Sequence, residues 1–593
     1  MDNSYFFSGW QHESFRLIRG QKPAFDCKHM EMTCCRNDFA AASLVIQWDE
    51  DFMLQLENHA EFYQRQWNGY NYLTLRPEVD CPGLPDFSLS RVQMHMDDDK
   101  VKKGDALFDW GSELVTSHVP TQLFLRLNVP ADTAPGCYSG TVRFYAHAMF
   151  HDEELIATLT FEVKAADVIL PSGVDQKFFL AIWQHPANIA RHHQVPLFSE
   201  EHFAILEDYT RTLREMGNVI TTITVSDAPW IGQRCFSQTN PYSDLFEYNI
   251  VRIFKETDGT FHYDFSILQR YLKLCQKYGM TREIHIFGLV HNWSREEENA
   301  FGNWGYGNIT EDYPDPIRLR YIDKSDRCAK YMRKAADIKA YISALYHWLD
   351  YEGWLPYCMV APDEPENMET LTKSLATMNE VAPNFNICAD YNPFFIAEHP
   401  ELRIDSYCPL LDTIVNCEQK ERGIIQKAMD HCRATRIWYI CCTPRTPNTF
   451  LGSPLLESRL IPLITEWLKL DGFLRWAYTC WPVEPLEDGR CMSWFTGDAF
   501  FVYPSRGGRP ILSLRYFALK RGIGDFELMQ MVKQECPNGE ELVEKALNSI
   551  IRQPDITLWN LYEADDSQYS FDPLDYEKVR SSMIQALLDA KHV

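Results

Sequence analysis

After Pro171 the sequence settles into a rhythm that few folds accept: a short apolar strand, a loop, an amphipathic helix, then the same again. Eight candidate strands follow in order: KFFLAIW (177–183), VITTITV (219–225), REIHIFGLV (282–290), YCMVAP (357–362), FNICAD (385–390), IDSYCP (404–409), RIWYICC (436–442) and GFLRWAY (472–478). Helical periodicity fills most of the gaps, as in SEEHFAILEDYTRTLREMG and AADIKAYISALYHWLDYEG, and a last helix follows from Leu512. Eight β-then-α units predict a closed parallel (β/α)8 TIM-type barrel over residues 171–534. The link between strands five and six is short, with PFFIAEHPEL as its one candidate helix, so a doubly wound open sheet stays as the topological alternative.

The flanks read differently. Residues 1–170 break into short β segments punctuated by turn signals, ending in PADTAPGCYSGTVRFYA and EELIATLTFEVKAADVIL. Val142, Phe144 and Ala146 alternate with Thr141, Arg143 and Tyr145, as in a strand with one buried face, and Pro135-Gly136 supplies the turn before it. A β-sandwich is expected here. Residues 535–593 hold GEELVEKALNSIIR and DYEKVRSSMIQALLDA, a small helical tail. With 593 residues, 45% of them hydrophobic, the chain can bury several cores.

Net charge removes whole classes of partner. At −26 the chain has no basic stripe for a phosphate backbone, and anionic membranes are disfavoured too. No apolar run approaches the roughly 18 residues of a spanning helix. MDNSYFFSGWQHESFRLIRG lacks a secretory pattern. The 18 cysteines are scattered without a CxxC, which argues against a zinc ribbon or a disulfide framework and suggests a reducing cytoplasm. Oligomeric state, homo-oligomers included, leaves no mark that can be read.

In a barrel of this type chemistry sits at the C-terminal strand ends. Those positions hold Trp183 and His185, Asp227 and Trp230, His291 and Trp293, Asp363 and Glu364, Asp390 and Tyr391, Tyr407, Trp438 and Arg445, then Trp476 and Trp481. Aromatics ringed with a few carboxylates suit a sugar, whose apolar face stacks while its hydroxyls hydrogen-bond. The candidate substrate-binding set is therefore His185, Asp227, His291, Trp293, Asp390, Tyr391, Tyr407, Trp438, Trp476 and Trp481, although some of the tryptophans could equally fill the barrel. Only His185, His192 and His193 suggest a metal, and no spaced Glu or Cys completes a ligand set; no metal or cofactor is expected.

The strongest local signal is VAPDEPENM. Pro362 and Pro365 bias the residues before them, Ala361 and Glu364, towards extended backbone, which keeps an Asp-Glu pair at a strand end. Both side chains can face one substrate only where the strand breaks into its loop. Adjacent carboxylates oppose each other's ionisation, so one pKa should rise and leave an acid beside a base. Taken alone, Asp-Glu-Pro is more often a solvated loop or a helix N-cap.

The setting resembles glycoside hydrolase family 123, β-N-acetylgalactosaminidases with a β-sandwich before a barrel. The likeness runs over about residues 110–530. It is carried by PADTAPGCYSGTV, by APDEP and above all by DGFLRWAYTCWPVEPLEDG, GDAFFVYP and SLRYFALKRGIGDFE. The resemblance implies that Asp363 orients the substrate's 2-acetamido group and that Glu364 is the general acid/base. Hydrolysis would then be retaining and substrate-assisted, through an oxazolinium intermediate, on a small oligosaccharide or glycoconjugate with a terminal β-linked N-acetylgalactosamine. SLRYF departs from the pattern, since Phe517 stands where a carboxylate is expected after the aromatic. A β-N-acetylglucosaminidase with the same pair and a non-catalytic glycan-binding protein are the alternatives.

Overall fold

The computed structural model describes residues 6–56, 73–148, 151–230, 247–292, 310–365, 368–491, 494–505 and 507–591. All eight expected strands are present: Phe179–Ile182, Ile220–Thr224, Glu283–Phe287, Cys358–Val360, Asn386–Ala389, Ser406–Tyr407, Ile437–Tyr439 and Gly472–Arg475. We refer to them as strands one to eight. Strands two to six form one parallel ladder in chain order, and strands one, eight and seven form another. Parallel bridges join the ladder edges, Leu180 to Asn218 at one seam and Tyr407 to Arg436 and Leu410 to Tyr439 at the other. Neighbours thus follow chain order throughout, without the reversal that marks a doubly wound sheet. Strand one lies against strand eight so tightly that a Cβ at Gly472 would come within 1.9 Å of the Phe179 carbonyl oxygen. Only glycine fits there.

Nearly every strand residue is buried, because helices cover the outside. The helix Glu200–Met216 is typical: the Ser199 side chain accepts the His202 amide at its start, Gly217 ends it at φ 123°, and Phe203, Leu206, Tyr209 and Leu213 face inward. The short helix Pro393–Glu398 falls inside PFFIAEHPEL and fills the link between strands five and six.

The N-terminal region is rich in sheet. An antiparallel five-stranded sheet and a mixed six-stranded sheet share one hydrophobic cluster that includes Leu44, Ile46, Leu125, Val142, Phe144 and Phe161. Strand Gly136–His147 pairs with Glu154–Ile169, and the expected alternation holds: Val142, Phe144 and Ala146 are buried while their neighbours are partly exposed. A further four-stranded sheet (Arg252–Lys255, Phe261–Asp264, Arg320–Asp323 and Cys328–Tyr331) was not expected. It is built from the segments that follow strands two and three. The C-terminal helices Leu514–Glu535, Gly539–Ile550 and Pro573–Ala590 pack on one another.

The departure at Phe517 has a packing reason. Phe517 is buried, 5.6 Å from the rings of both Phe39 and Phe124, with the Arg126 guanidinium 5.3 Å from its centroid. It sits where the N-terminal sheets dock on helix Leu514–Glu535, and a carboxylate there would lose that apolar contact.

Candidate active site

Strand four hands its chain to the proline-flanked pair. The Ala361 amide still donates to the Ile286 carbonyl at 2.9 Å, and Asp363 then enters the left-handed region at φ 61°. For an L-residue that conformation costs roughly 1–2 kcal/mol. Ala228 (φ 47°) and His291 (φ 51°), just beyond strands two and three, are in the same region. Strain of this kind gathers where function over-determines the backbone. At Asp363 it cancels the alternation of the strand, and Asp363 and Glu364 line the same cavity. His291 holds the turn in place. Its Nδ1 donates to the Pro362 carbonyl at 2.7 Å, a partner that can only accept, while its amide donates to Asp315.

Facing the pair are strands five and seven. The Tyr439 hydroxyl lies 2.6 Å from Glu364 Oε1 and 3.0 Å from Asp390 Oδ2. One hydroxyl proton cannot serve two carboxylates. Desolvation and then the nearby Glu364 charge push Asp390 up to about 8, against the smaller effect of the Tyr439 hydrogen bond. At neutral pH Asp390 therefore keeps its proton and donates it to the Tyr439 oxygen, leaving the Tyr439 O–H free to donate to Glu364. Desolvation, then the Asp390 and Glu364 charges, hold the Tyr439 phenol far above its ordinary pKa, so it stays protonated.

Four tryptophans wall the cavity, which opens to solvent at its mouth. Trp183 and Trp230 stack at 6.1 Å, and Trp476 and Trp494 meet at 5.1 Å. His185 lies between the two pairs, 6.0 Å from Trp230 and 6.1 Å from Trp476. Desolvation, with Arg191 assisting, lowers His185 to about 3, so the ring is neutral. His185 Nδ1 and Trp183 Nε1 are buried and find no hydrogen-bond partner among the described residues. A buried polar atom left unpaired costs roughly 1–3 kcal/mol, which a ligand's hydroxyls would recover.

Of the expected site residues, Asp363, Glu364, His185, Asp390 and Trp476 come together at this cavity. Tyr391 lines an adjoining groove. The others lie elsewhere. Asp227 is buried in an ion pair with Arg320 at 3.0 Å and also accepts from Tyr331 and the Asn249 amide. Tyr407 is buried and donates to the Tyr391 carbonyl at 3.1 Å. Trp438 points outward between strand and helix, donating to Thr465 at 2.8 Å, because strand alternation sends it away from its neighbour Tyr439. Trp481 is core, donating to the Val502 carbonyl at 2.6 Å with His192 and Tyr209 against its ring. Trp293 lies outside the described residues. Tyr439 and Trp494 were missed from the sequence. Tyr439 stood in the middle of the expected strand 436–442 and ends the strand only in the structure, and Trp494, nineteen positions past strand eight, carries no pattern.

His192 and His193 do not join His185, since His193 Nε2 is 2.9 Å from the Tyr209 hydroxyl and His192 packs on Trp481. A different set, Glu283, His285 and Cys388, brings ligand-type atoms within 4.8 Å of one another beneath the cavity. Internal hydrogen bonds already engage both Glu283 oxygens, one from His285 Nε2 at 2.9 Å and the other from Ser406 at 3.0 Å and Thr435 at 2.5 Å.

A family model described as "Glycoside hydrolase 123, catalytic domain" matches residues 183–532, more than half of the chain. The chain belongs to glycoside hydrolase family 123. It is a glycoside hydrolase. A solved structure of a family 123 glycoside hydrolase from Clostridium perfringens, described in terms of glycolipid glycan hydrolysis, is similar over 99% of this chain and 97% of its own, with a TM-score of 0.72 at 17% identity. The N-terminal domain of PorA aligns over 26% of this chain and 97% of its own, at 8% identity and a TM-score of 0.15. The CooA pilin subunit of enterotoxigenic Escherichia coli aligns over 28% and 99%, at 10% identity and the same TM-score of 0.15. No curated protein matches the chain.

Proposed function

We propose that this family 123 enzyme is a retaining, exo-acting β-N-acetylgalactosaminidase whose own substrate supplies the nucleophile, and that its eight parallel strands close into a (β/α)8 barrel. The bridges at both seams support closure. The pairing of Asp363 and Glu364 on one aromatic cavity carries the functional reading. In the first step the acetamide oxygen attacks the anomeric carbon, Asp363 accepts the acetamide N–H and stabilises the developing oxazolinium charge, and Glu364, which takes up a proton as the bound sugar shuts water away from it, protonates the leaving oxygen. In the second Glu364 takes a proton from water as water opens the ring. Two inversions give net retention.

The neighbouring carboxyls support this over a covalent enzyme intermediate. Asp390 is protonated at neutral pH and so is a weak nucleophile, and Asp227 is tied to Arg320 away from the cavity. The glycolipid glycans of the Clostridium perfringens relative favour a sugar carried on a larger conjugate. We place the enzyme in the cytoplasm, a reading supported by free thiols at every described cysteine. Among the described residues no helix is long and apolar enough to cross a membrane.

The decisive experiment replaces the acetamide methyl hydrogens with one, two and three fluorines. Each weakens the carbonyl oxygen as a nucleophile with little change in size, so kcat should fall steeply along the series, and a thiazoline analogue of the intermediate should inhibit strongly. A flat series, with a 2-fluoro sugar trapped on a carboxylate, would sink the proposal.

A further inference from the structure

Strand seven ends at Tyr439; Ile440 and then two adjacent cysteines follow, on a wall that the cavity shares with the adjoining groove. The Sγ atoms of Cys441 and Cys442 lie 3.8 Å apart. Cys441 is partly buried and Cys442 exposed, so solvent reaches the pair, and Glu364 lines the same wall. We propose that Cys441 and Cys442 form an inhibitory site for one soft divalent cation of the Zn²⁺ class, bound as a bis-thiolate beside the catalytic acid. Binding stands on the thiol geometry alone, whereas inhibition rests on the role proposed above for Glu364.

The separation of the sulfurs selects this chemistry. A Zn–S bond is about 2.3 Å long, so an ion bridging two sulfurs 3.8 Å apart makes an S–Zn–S angle of about 110°, close to the tetrahedral geometry it prefers. A disulfide is harder to form. The peptide between the two cysteines is trans, which sets their Cα atoms about 3.8 Å apart, short of the roughly 4.4–6.8 Å that disulfides span. Neighbouring groups hold the backbone here: the Cys441 carbonyl accepts from Asn448 at 3.1 Å and from Arg475 at 3.4 Å, and the Cys441 amide donates to the Thr443 carbonyl at 2.9 Å. As the ion binds, each thiol gives its proton to solvent and two metal–sulfur bonds form, with no change of oxidation state.

The surroundings favour a cation. Among the described residues no Lys or Arg lines either compartment, and Glu364 supplies a carboxylate to both. Two thiolates leave two tetrahedral positions open, and Glu364 is an oxygen ligand on the same wall that can take one of them. While it is engaged with the ion it cannot serve the substrate. Thiolates select soft ions over Mg²⁺ and Ca²⁺, which prefer oxygen. The buried set of Glu283, His285 and Cys388 is the rival for such an ion, but its Glu283 oxygens are already taken by internal hydrogen bonds.

Cd²⁺ is the probe, because its thiolate complexes absorb in the ultraviolet where those of Zn²⁺ are silent. Titrated into fully reduced enzyme without air, Cd²⁺ should give a thiolate band that saturates at one equivalent. Hydrolysis of a chromogenic N-acetyl-β-galactosaminide should fall in step with the band and return on adding EDTA, and Mg²⁺ should do neither. Cys441→Ser and Cys442→Ser should each weaken Cd²⁺ binding at least about tenfold, a loss that even the outer partner of a metal ligand can bring. Cys388→Ser, in the buried set, and Cys27→Ser, exposed in the N-terminal region, should bind as wild type does. Unchanged affinity in both the Cys441 and Cys442 variants, or affinity lost in Cys388→Ser, overturns the site. A saturated band on enzyme that stays fully active overturns the hold on Glu364. Enzyme that is inactive on the glycoside before any metal is added overturns the catalytic reading, while the band still decides whether the thiols bind the ion.

Discussion

Carboxylates are withdrawn from water in two regions of this molecule, and they are treated in opposite ways. Where the N-terminal sheets dock on the C-terminal helices, Asp105 pairs with Arg515 at 2.9 Å and Arg16 at 3.5 Å, and Asp38 pairs with Arg521 at 3.3 Å and also with Arg580. Desolvation alone would raise both aspartates, but the guanidinium groups outweigh it and both pKa values end below the usual carboxylate range. At the cavity Asp390 meets no guanidinium among the described residues. It faces Glu364 through Tyr439, and its pKa climbs to about 8. Burial is common to both regions; the partner decides the outcome. At the docking surface Asp38 and Asp105, each matched by two arginines, are fixed charges that hold two regions together. Asp390, matched by another carboxylate and a phenol, is a proton store, which acid and base chemistry requires.

The largest effect should come from breaking the proton-holding side. Glu364→Gln keeps the shape and removes the acid, so kcat/KM on glycosides with poor leaving groups should drop by about 10²–10⁴. Substrates with good leaving groups, which need no proton, should lose far less, and azide should restore part of their turnover by replacing the activated water. Equal losses on both kinds of substrate, with no azide effect, would take the acid/base role from Glu364.

On the fixed-charge side the readout is stability. Asp105→Asn leaves the fully buried Arg515 and its neighbour Arg16 without their counter-charge, a change that typically costs about 3–5 kcal/mol. The midpoint of chemical unfolding should fall accordingly, while activity per folded molecule stays close to wild type. The pH dependence has a definite sign here. A depressed folded pKa contributes stability that is present above the unfolded value near 3.8 and is lost as pH falls through the folded one. Acid unfolding should therefore start at higher pH in wild type than in a variant whose Asp105–Arg515 pair has been replaced by apolar residues. Unfolding midpoints that do not move in Asp105→Asn would mean that the pair holds nothing together.

Much of this division was legible before any coordinates. The eight strands stood out because strands covered on both faces read as apolar runs, and the Asp363-Glu364 pair stood out because prolines on either side keep it from winding into a helix. Side-chain direction was harder. Trp438 and Tyr439 are neighbours on strand seven, and only the strand's exact end tells which one faces the cavity. Asp227 lies at a strand end as expected, but its partner Arg320 comes from a sheet nearly a hundred residues away. Part of that sheet had a signal, since Asp258-Gly259 between RIFK and FHYD is a hairpin turn pair. The Arg515–Asp105 contact had none, because nothing local in either segment names the other.

Asp390→Asn should have the smallest effect at neutral pH, and it tests the comparison most finely. If Asp390 is already protonated at pH 7, an amide that donates to the Tyr439 oxygen is a close replacement. The rate should then change only a few-fold, in line with about 0.5–1.5 kcal/mol for one hydrogen bond. Differences should open above pH 8. There wild-type Asp390 gives up its proton, sets a second charge beside Glu364 and draws the Tyr439 hydroxyl away from it. The variant's amide does neither, so the alkaline limb of the variant's kcat profile should flatten. Stability should move the opposite way from the docking surface. The folded pKa of about 8 lies above the unfolded value near 3.8, so wild type loses stability relative to the variant as pH rises from about 4 to about 8, and the difference in Tm should widen across that window and then level off. Near-complete loss of activity at pH 7, with the profile otherwise unmoved, would instead make Asp390 an ionised participant in the reaction and remove the contrast between the two regions.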